Sequence, residues 1–185
     1  MHRWYKSSNF QMRSTANRLT VALFVVYAMA LFWIIVLKLN ICFTYMSQKR
    51  SMNLVPFNEP LVLNGRPDVG ELILNILIFI PLGIYTTILI KKWGILKSIL
   101  SFSLVSFTLE SIQYLLAIGA FDITDIITNT TGGTLGLLFQ KILINIFGNE
   151  LKAQKLINAL ALFFTFTILG LLFYLKINKL LMFRR

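Results

Sequence analysis

Residues 106–136 read SFTLESIQYLLAIGAFDITDIITNTTGGTLG, a hydrophobic stretch that nevertheless carries three of the chain's seven acidic residues. The three are Glu110, Asp122 and Asp125. An ionisable side chain at membrane depth costs about 2.5–3.5 kcal/mol on insertion scales, so such residues are functional candidates by default. The alternative is that they only join helices by hydrogen bonds, with Glu110 neutral. The stretch predicts a polar site within a membrane protein.

The composition is that of an integral membrane protein. Of the 185 residues, 57% are hydrophobic and 14% are charged, whereas soluble domains carry about 25% charged residues. The net charge is +11, but the basic residues lie between apolar runs, as juxtamembrane anchors do. They form no basic face, and we therefore expect no nucleic-acid partner.

The composition also limits the cofactors. The single cysteine, Cys42, excludes an internal disulfide, and the single histidine, His2, is at the terminus. A zinc site built from His and Cys is therefore not expected. We predict no metal and no cofactor, with a carboxylate site for magnesium or calcium as the open alternative.

Apolar runs divide the chain and predict an all-α, polytopic fold of about five transmembrane helices. The runs are residues 19–39, 71–90, 95–118, 123–146 and 156–175, the last uniformly apolar. They predict one membrane domain over residues 19–175, between a basic segment (1–18) and a basic tail (176–185). Residues 148–155 are predicted as a polar turn. Residues 40–71 mix apolar residues with Pro, Asn and Gly, which indicates either a segment packed on the helices or an ordinary ordered loop.

The short turns predict that the N-terminus lies inside. The turn between the second and third helices carries Lys91, Lys92 and Lys97, whereas the turn between the third and fourth carries no basic residue. Positive charge in short loops favours the cytoplasmic side. The basic tail opposes this assignment.

Helix geometry places several polar residues at similar depth. Counting about 1.5 Å per residue from each helix centre puts them on the outer side of the midplane. They are Asn75, Glu110, Gln113 and Asn129, with Asp122 and Asp125 nearer the outer interface. We therefore expect one outward-facing polar cavity among the second, third and fourth helices, with Arg66 as the nearest basic residue. The glycines at 132, 133 and 136 predict a close approach by a neighbouring helix.

Four segments of the chain resemble the VanZ family of small bacterial membrane proteins. They are NLVPF (53–57), NILIFIPLG (75–83), the E-x-x-Q pair Glu110 and Gln113, and DITDIITNTTGGTLG (122–136). The resemblance covers about residues 53–140. Many members carry a glycine–arginine pair shortly before the aspartates, where this chain reads AIGAF (117–121), so no role of that arginine carries over. The resemblance implies a multi-pass protein of the bacterial plasma membrane and resistance to teicoplanin-like glycopeptide antibiotics.

Three functions are compatible with these residues. In the first, the cavity binds a membrane lipid or a lipid-linked cell-wall precursor and so reduces susceptibility to the antibiotic, which is itself a further candidate partner. The ligand-binding residues would then be Asn75, Gln113, Asn129 and Arg66.

The second function is that of an intramembrane enzyme acting on a lipid or lipid-linked cell-wall precursor. Glu110 would act as the general base, with Asp122 or Asp125 as the acid or as an electrostatic stabiliser. The third is a proton- or ion-coupled transporter with Glu110 as its relay, although the chain lacks the internal repeat typical of that class. The sequence carries no signal for an oligomeric state.

Overall fold

The structure is a computed structural model that describes residues 2–37, 51–57, 62–63, 66–67 and 69–177. Its helices and strands, in chain order, are α1 (His2–Leu37), β1 (Met52–Asn53), β2 (Val62–Leu63), β3 (Arg66–Pro67), α2 (Val69–Leu89), α3 (Ile95–Leu115), β4 (Phe121–Asp122), α4 (Ile123–Phe147) and α5 (Glu150–Ile177). The strands are only two residues long, and the predicted all-α class is confirmed.

Within the described part of the chain, four helices are long and apolar enough to cross a membrane. The candidate spans are Thr15–Val36, Val69–Leu89, Ile95–Leu115 and Glu150–Leu171. The 25-residue α4 is also long enough, but its first half, ITDIITNTTGG, is too polar to qualify by composition. These helices make the chain a polytopic membrane protein.

The helix boundaries agree with the sequence for α2, α3 and α4 and disagree at both ends of the chain. The basic segment predicted to precede the first span is part of α1. The polar turn predicted at 148–155 is wrong beyond Asn149, because the Asn149 side chain caps α5. Its Oδ1 accepts the backbone N–H groups of Leu151 (2.8 Å) and Lys152 (3.3 Å). Gly148, with φ of 57°, terminates α4 just before this cap.

The chain forms two compact units, of which the first comprises Met1–Val26 and Leu143–Arg185. In this unit α1 and α5 are joined by buried polar side chains. The Gln154 Nε2 donates to Thr20 Oγ1 at 2.8 Å, and the Asn158 Nδ2 donates to the Ala16 carbonyl at 3.2 Å. The description of 156–175 as uniformly apolar is therefore wrong at Asn158, which is buried against α1.

The second unit, Tyr27–Ile142, contains a contact between the backbones of α2 and α4. A Cβ atom added to Gly132 would overlap the carbonyl of Ile76, and one added to Gly136 would overlap the carbonyl of Ile80. The absence of side chains at these two positions lets α4 lie directly on α2. The predicted close approach at the glycines is confirmed.

A second link in this unit joins residues 51–57 to the connection between α3 and α4. β1 pairs with β4 in parallel register, with Asn53 opposite Asp122. Four residues further on, the backbone N–H of Phe57 donates to Thr124 Oγ1 at 3.0 Å. Residues 51–57 are therefore ordered by these two contacts, although only Asn53 among them is buried, and both alternatives for residues 40–71 remain open. β2 and β3 form a separate antiparallel pair, and the rest of that connection lies outside the described residues.

Candidate functional site

Four helices of the second unit surround a cavity of about 460 Å³. Its lining combines apolar side chains with carboxylates and amides, and comprises Ile34, Ile35, Gly70, Glu71, Leu74, Asn75, Ile78, Glu110, Gln113 and Asp125. None of these described lining residues is basic. The volume falls within the range of about 300–1,000 Å³ that is typical of small-molecule sites.

Glu110 is the most buried carboxylate of the lining, with 1% of its surface exposed. Its Oε2 accepts the backbone N–H of Asp122 at 3.3 Å. The chain returns to Glu110 because α3 ends in a tight reversal, in which Ala117 has a left-handed φ of 54° and the Ile118 N–H bonds to the Gln113 carbonyl at 3.0 Å. The position of Glu110 is therefore fixed by the turn that follows its own helix.

Gln113 lies one turn beyond Glu110 on α3 and is fully buried. Its Nε2 donates to the Ile35 carbonyl of α1 at 2.8 Å. A carbonyl can only accept, so this bond fixes which end of the amide faces α1. The Oε1 at the other end is buried and has no hydrogen-bond partner. An unsatisfied oxygen of this kind costs about 1–3 kcal/mol and calls for an explanation.

Asp125 enters the lining from the first turn of α4. Its Oδ1 accepts a hydrogen bond from Asn75 Nδ2 at 2.8 Å. This bond links α4 to α2 in addition to the glycine contact. The bond orients both side chains at the cavity wall. Asn75 and Asp125 are thus brought together with Glu110 and Gln113 in one lining.

Asp122 does not line the cavity, although it lies next to it in the hydrogen-bond network. Its Oδ1 accepts the Thr124 N–H at 2.6 Å, and its Oδ2 accepts Asn53 Nδ2 at 3.1 Å. The first bond caps the N-terminus of α4 and the second holds β1. Both carboxylate oxygens are therefore used to position the backbone.

The sequence also predicted Asn129 and Arg66 as ligand-binding residues. Asn129 lies outside the lining, and the side chain of Arg66 is not described. Asn129 is buried and donates through Nδ2 to Ser106 Oγ at 2.9 Å, which joins α4 to α3 away from the cavity. The backbone of Arg66 belongs to β3, but its side chain lies outside the part that the structure describes. Its pairing with the acidic residues stays a prediction.

A protein-family model described as VanZ/LLP1 matches residues 24–147. The chain belongs to the VanZ/LLP1 family. Protein VanZ of Enterococcus faecium is similar to it, with 35% identity over 162 residues, which cover 86% of this chain and 96% of that protein. No solved structure matches the chain.

The VanZ/LLP1 match includes every residue of the cavity lining, from Ile34 to Asp125, whereas α5 lies beyond it. It also includes the segment 51–57 and the turn between α3 and α4, which fix Glu110 and Asp122. The family relationship therefore covers the structural unit in which the candidate site lies.

Two parts of this cavity were not predicted from the sequence. Glu71 was recognised only as the start of a helix, but it precedes Asn75 by four residues and Ile78 by seven. That spacing puts all three on one face of α2 and could have revealed it. The contribution of Ile34 and Ile35 had no such signal, because they resemble the other apolar residues of α1.

Proposed function

We propose that this chain is a multi-pass protein of the bacterial plasma membrane that reduces susceptibility to teicoplanin-type glycopeptide antibiotics. Its cavity engages a lipid or lipid-linked envelope molecule, and it opens toward the outer face, with the N-terminus inside. Family membership and the similarity to Protein VanZ support the link to resistance. The residues that line the cavity support the assignment of a lipid or lipid-linked molecule as its ligand.

The observation that carries the lipid assignment is the position of Leu74. This side chain lines the cavity and is also 48% exposed on the apolar span of α2. In a membrane such a surface faces lipid, so the cavity is open to the bilayer beside α2. Its neighbours Ile73 and Leu77 are exposed as well, which offers an apolar surface for acyl chains next to a polar interior.

The size of the cavity favours a lipid head group over the antibiotic as its occupant. A volume of about 460 Å³ accommodates a small polar group. A glycopeptide is a glycosylated peptide and is much larger, so it could not be enclosed here. The proposed effect on the antibiotic therefore acts through the lipid or precursor.

The test is the double variant Glu110→Gln, Asp125→Asn, which keeps side-chain volume and removes both charges. We expect it to lose protection against teicoplanin while the amount of folded protein in the membrane stays at the wild-type level. Removing a buried charge without losing volume relieves a desolvation cost, so the variant should fold.

Glu150→Gln is the matched control for this test, because Glu150 lies in the first turn of α5, outside the lining. It should retain full protection. Normal protection by the double variant would contradict the proposal and leave the acidic residues with a purely structural role.

Glu110 and Asp125 also support an intramembrane enzyme as a second candidate function, because they line the same cavity. Asp122 is a weaker acid–base candidate, since both of its oxygens hold backbone structure. Mass spectrometry of lipids and cell-wall precursors separates the two functions. Masses that change with the wild-type protein and not with Glu110→Gln indicate catalysis, whereas unchanged masses together with direct lipid binding indicate a binding protein.

A further inference from the structure

We propose that residues 51–57 lie in the membrane interface at the C-terminal end of α3 and pack their apolar side chains against lipid acyl chains. The partner of this surface is the bilayer itself, whatever molecule the cavity engages. Three observations support the lipid contact: the composition and exposure of the segment, its depth beside α3, and its position on the lipid-facing side of that helix.

The segment is apolar and uncharged, although it belongs to a connection between helices. It reads SMNLVPF, and its side chains Met52, Leu54, Val55 and Phe57 are between 54% and 60% exposed. A contiguous exposed apolar surface marks an interaction site. At the boundary of a membrane protein, the acyl chains are the apolar phase that covers such side chains.

Hydrogen bonds place the segment level with the α3 span and not beyond its end. β1 pairs with β4, and the backbone N–H of Asp122 in β4 donates to Glu110 Oε2 at 3.3 Å. Glu110 precedes Leu115, the last residue of the span, by five positions. At about 1.5 Å per residue, β4 and its partner β1 therefore lie roughly 7 Å from the end of the span toward the bilayer centre.

An aromatic contact places β4 on the lipid-facing side of α3. Phe107 lies in the apolar span of α3 and is 51% exposed, so its ring faces acyl chains in a membrane. The ring of Phe121 in β4 meets it edge-on, with the ring centroids 5.6 Å apart and the planes at 80°. Met52 is paired with Phe121, so β1 lies beside the lipid-facing surface of the helix.

The hydrogen bonds of the segment suit an interfacial position, where backbone groups need partners because water is scarce. The Ser51 carbonyl accepts the backbone N–H of Phe121 at 3.1 Å. The backbone N–H of Phe57 donates to Thr124 Oγ1 at 3.0 Å. Pro56 has no N–H group that needs a partner. The segment can therefore leave bulk water at a low cost in lost hydrogen bonds.

The lipid-facing segment adjoins the candidate site. Asn53, the one buried residue of 51–57, donates to Asp122 Oδ2 at 3.1 Å, and the backbone N–H of Asp122 donates to Glu110. Two hydrogen bonds therefore connect the segment to the most buried carboxylate of the cavity lining. Lipid that packs against 51–57 stabilises the elements that fix the position of Glu110.

Spin labelling in a bilayer tests the position of the segment. The full-length protein with Cys42→Ser and Val55→Cys carries a nitroxide and is reconstituted into vesicles of phosphatidylcholine and phosphatidylglycerol. Its collisions with oxygen, which concentrates among acyl chains, are compared with its collisions with a water-soluble nickel chelate. We expect oxygen collisions to dominate and to place the nitroxide about 5–10 Å into the boundary between head groups and acyl chains.

Leu104→Cys and Lys92→Cys in the same background are the matched controls. Leu104 is 66% exposed near the middle of the α3 span, so its label should favour oxygen. Lys92 is exposed in the turn before α3, so its label should favour the nickel chelate. A label at Val55 that behaves like the one at Lys92 would overturn the inference, because the segment would then face water. A label that neither reagent reaches would overturn it as well, because a second copy of the chain or another protein would then cover the surface.

A second measurement needs no substitution in the segment. The wild-type protein is reconstituted with phosphatidylcholine that carries a photoactivatable diazirine in the upper part of one acyl chain, and mass spectrometry locates the adducts. We expect adducts within 51–57 and on the exposed side chains Leu104 and Phe107 of α3. Adducts on α3 with none in 51–57 would overturn the lipid contact.

Discussion

Glu110 and Asp122 are both acidic residues near the turn between α3 and α4, but they serve different purposes. The carboxylate of Asp122 accepts a backbone N–H of α4 and the side chain of Asn53, so it holds two segments in place. The carboxylate of Glu110 receives the backbone N–H of Asp122 and lines the cavity. The side chain of Asp122 thus holds its own backbone N–H in the position from which it donates to Glu110.

Removal of the Asp122 carboxylate should therefore act on stability. We expect Asp122→Ala to reduce the free energy of unfolding by about 1–2 kcal/mol, because the N-cap of α4 is lost. Asp122→Asn should cost less, since an asparagine oxygen can still accept the Thr124 N–H. Thermal unfolding of the purified protein in detergent measures both. An unfolding temperature of Asp122→Ala equal to that of the wild type would show that this cap is dispensable.

Ala117 is a second residue whose substitution has a predictable sign. Its φ of 54° lies in the left-handed region, which costs an L-residue roughly 1–2 kcal/mol relative to glycine. We expect Ala117→Gly to raise the free energy of unfolding by about 0.5–1 kcal/mol, after subtraction of the extra freedom that glycine has in the unfolded chain. Chemical or thermal unfolding in detergent tests this.

Ala120→Gly is the control for Ala117→Gly, because Ala120 is not among the described residues with positive φ. It should bring no gain in stability. A gain of equal size in both variants would contradict the backbone explanation.

At the scale of helices, the contact between α2 and α4 holds the cavity together. Gly136 meets the Ile80 carbonyl directly, so any side chain at this position forces the two backbones apart. We expect Gly136→Ala to destabilise the protein by about 1–3 kcal/mol, the usual cost of overpacking. The fraction of folded protein in detergent as a function of temperature measures the effect.

Gly170→Ala is the matched control, since Gly170 lies within α5 and a Cβ there would meet no atom within 4 Å. This variant should be as stable as the wild type or more stable, because alanine favours a helix over glycine. A wild-type stability of Gly136→Ala would show that the helices can separate without loss.

The helices could be predicted from the sequence where hydrophobicity changed sharply, and less well where polar residues belong to a helix. The boundaries of α2 and α3 follow from apolar runs that end in charged or polar residues. The start of α5 could not be predicted in this way, because its first two turns are polar. They begin at the Asn149 cap, and no change in hydrophobicity marks that position. The pairing of β1 with β4 was also unpredictable, since a two-residue bridge has no periodicity to detect.

The candidate site was predictable to the extent that its residues share a helix face. Glu110 and Gln113 are three apart on α3, and their common face follows from helical geometry. The exclusion of Asp122 from the lining could not be anticipated, because spacing alone does not show that its oxygens bind Thr124 and Asn53. Tertiary contacts, and not residue type, separate the structural carboxylate from those of the cavity.

At the scale of the whole molecule, the orientation in the membrane decides which side the cavity serves. With Cys42 replaced by Ser, single cysteines at Lys92 and Ala120 report the turns before and after α3. Lys92 is exposed, which makes it suitable for labelling. An impermeant thiol reagent applied to intact cells should label Ala120→Cys and spare Lys92→Cys, as the lysines of the first turn favour the inside. The reverse pattern would place the cavity on the cytoplasmic side.

The bond between Asn53 and Asp122 joins residues that are 69 positions apart, and this separation has a consequence during synthesis. At about 5–20 residues per second, the ribosome delivers Asp122 roughly 3–14 s after Asn53. For that period the nascent segment 51–57 lacks two partners. These are β4, with which β1 pairs, and the Thr124 hydroxyl, which accepts the backbone N–H of Phe57. A chain arrested before Phe121 should therefore be cut by an added protease within 51–57, and release of the chain through α4 should protect that segment.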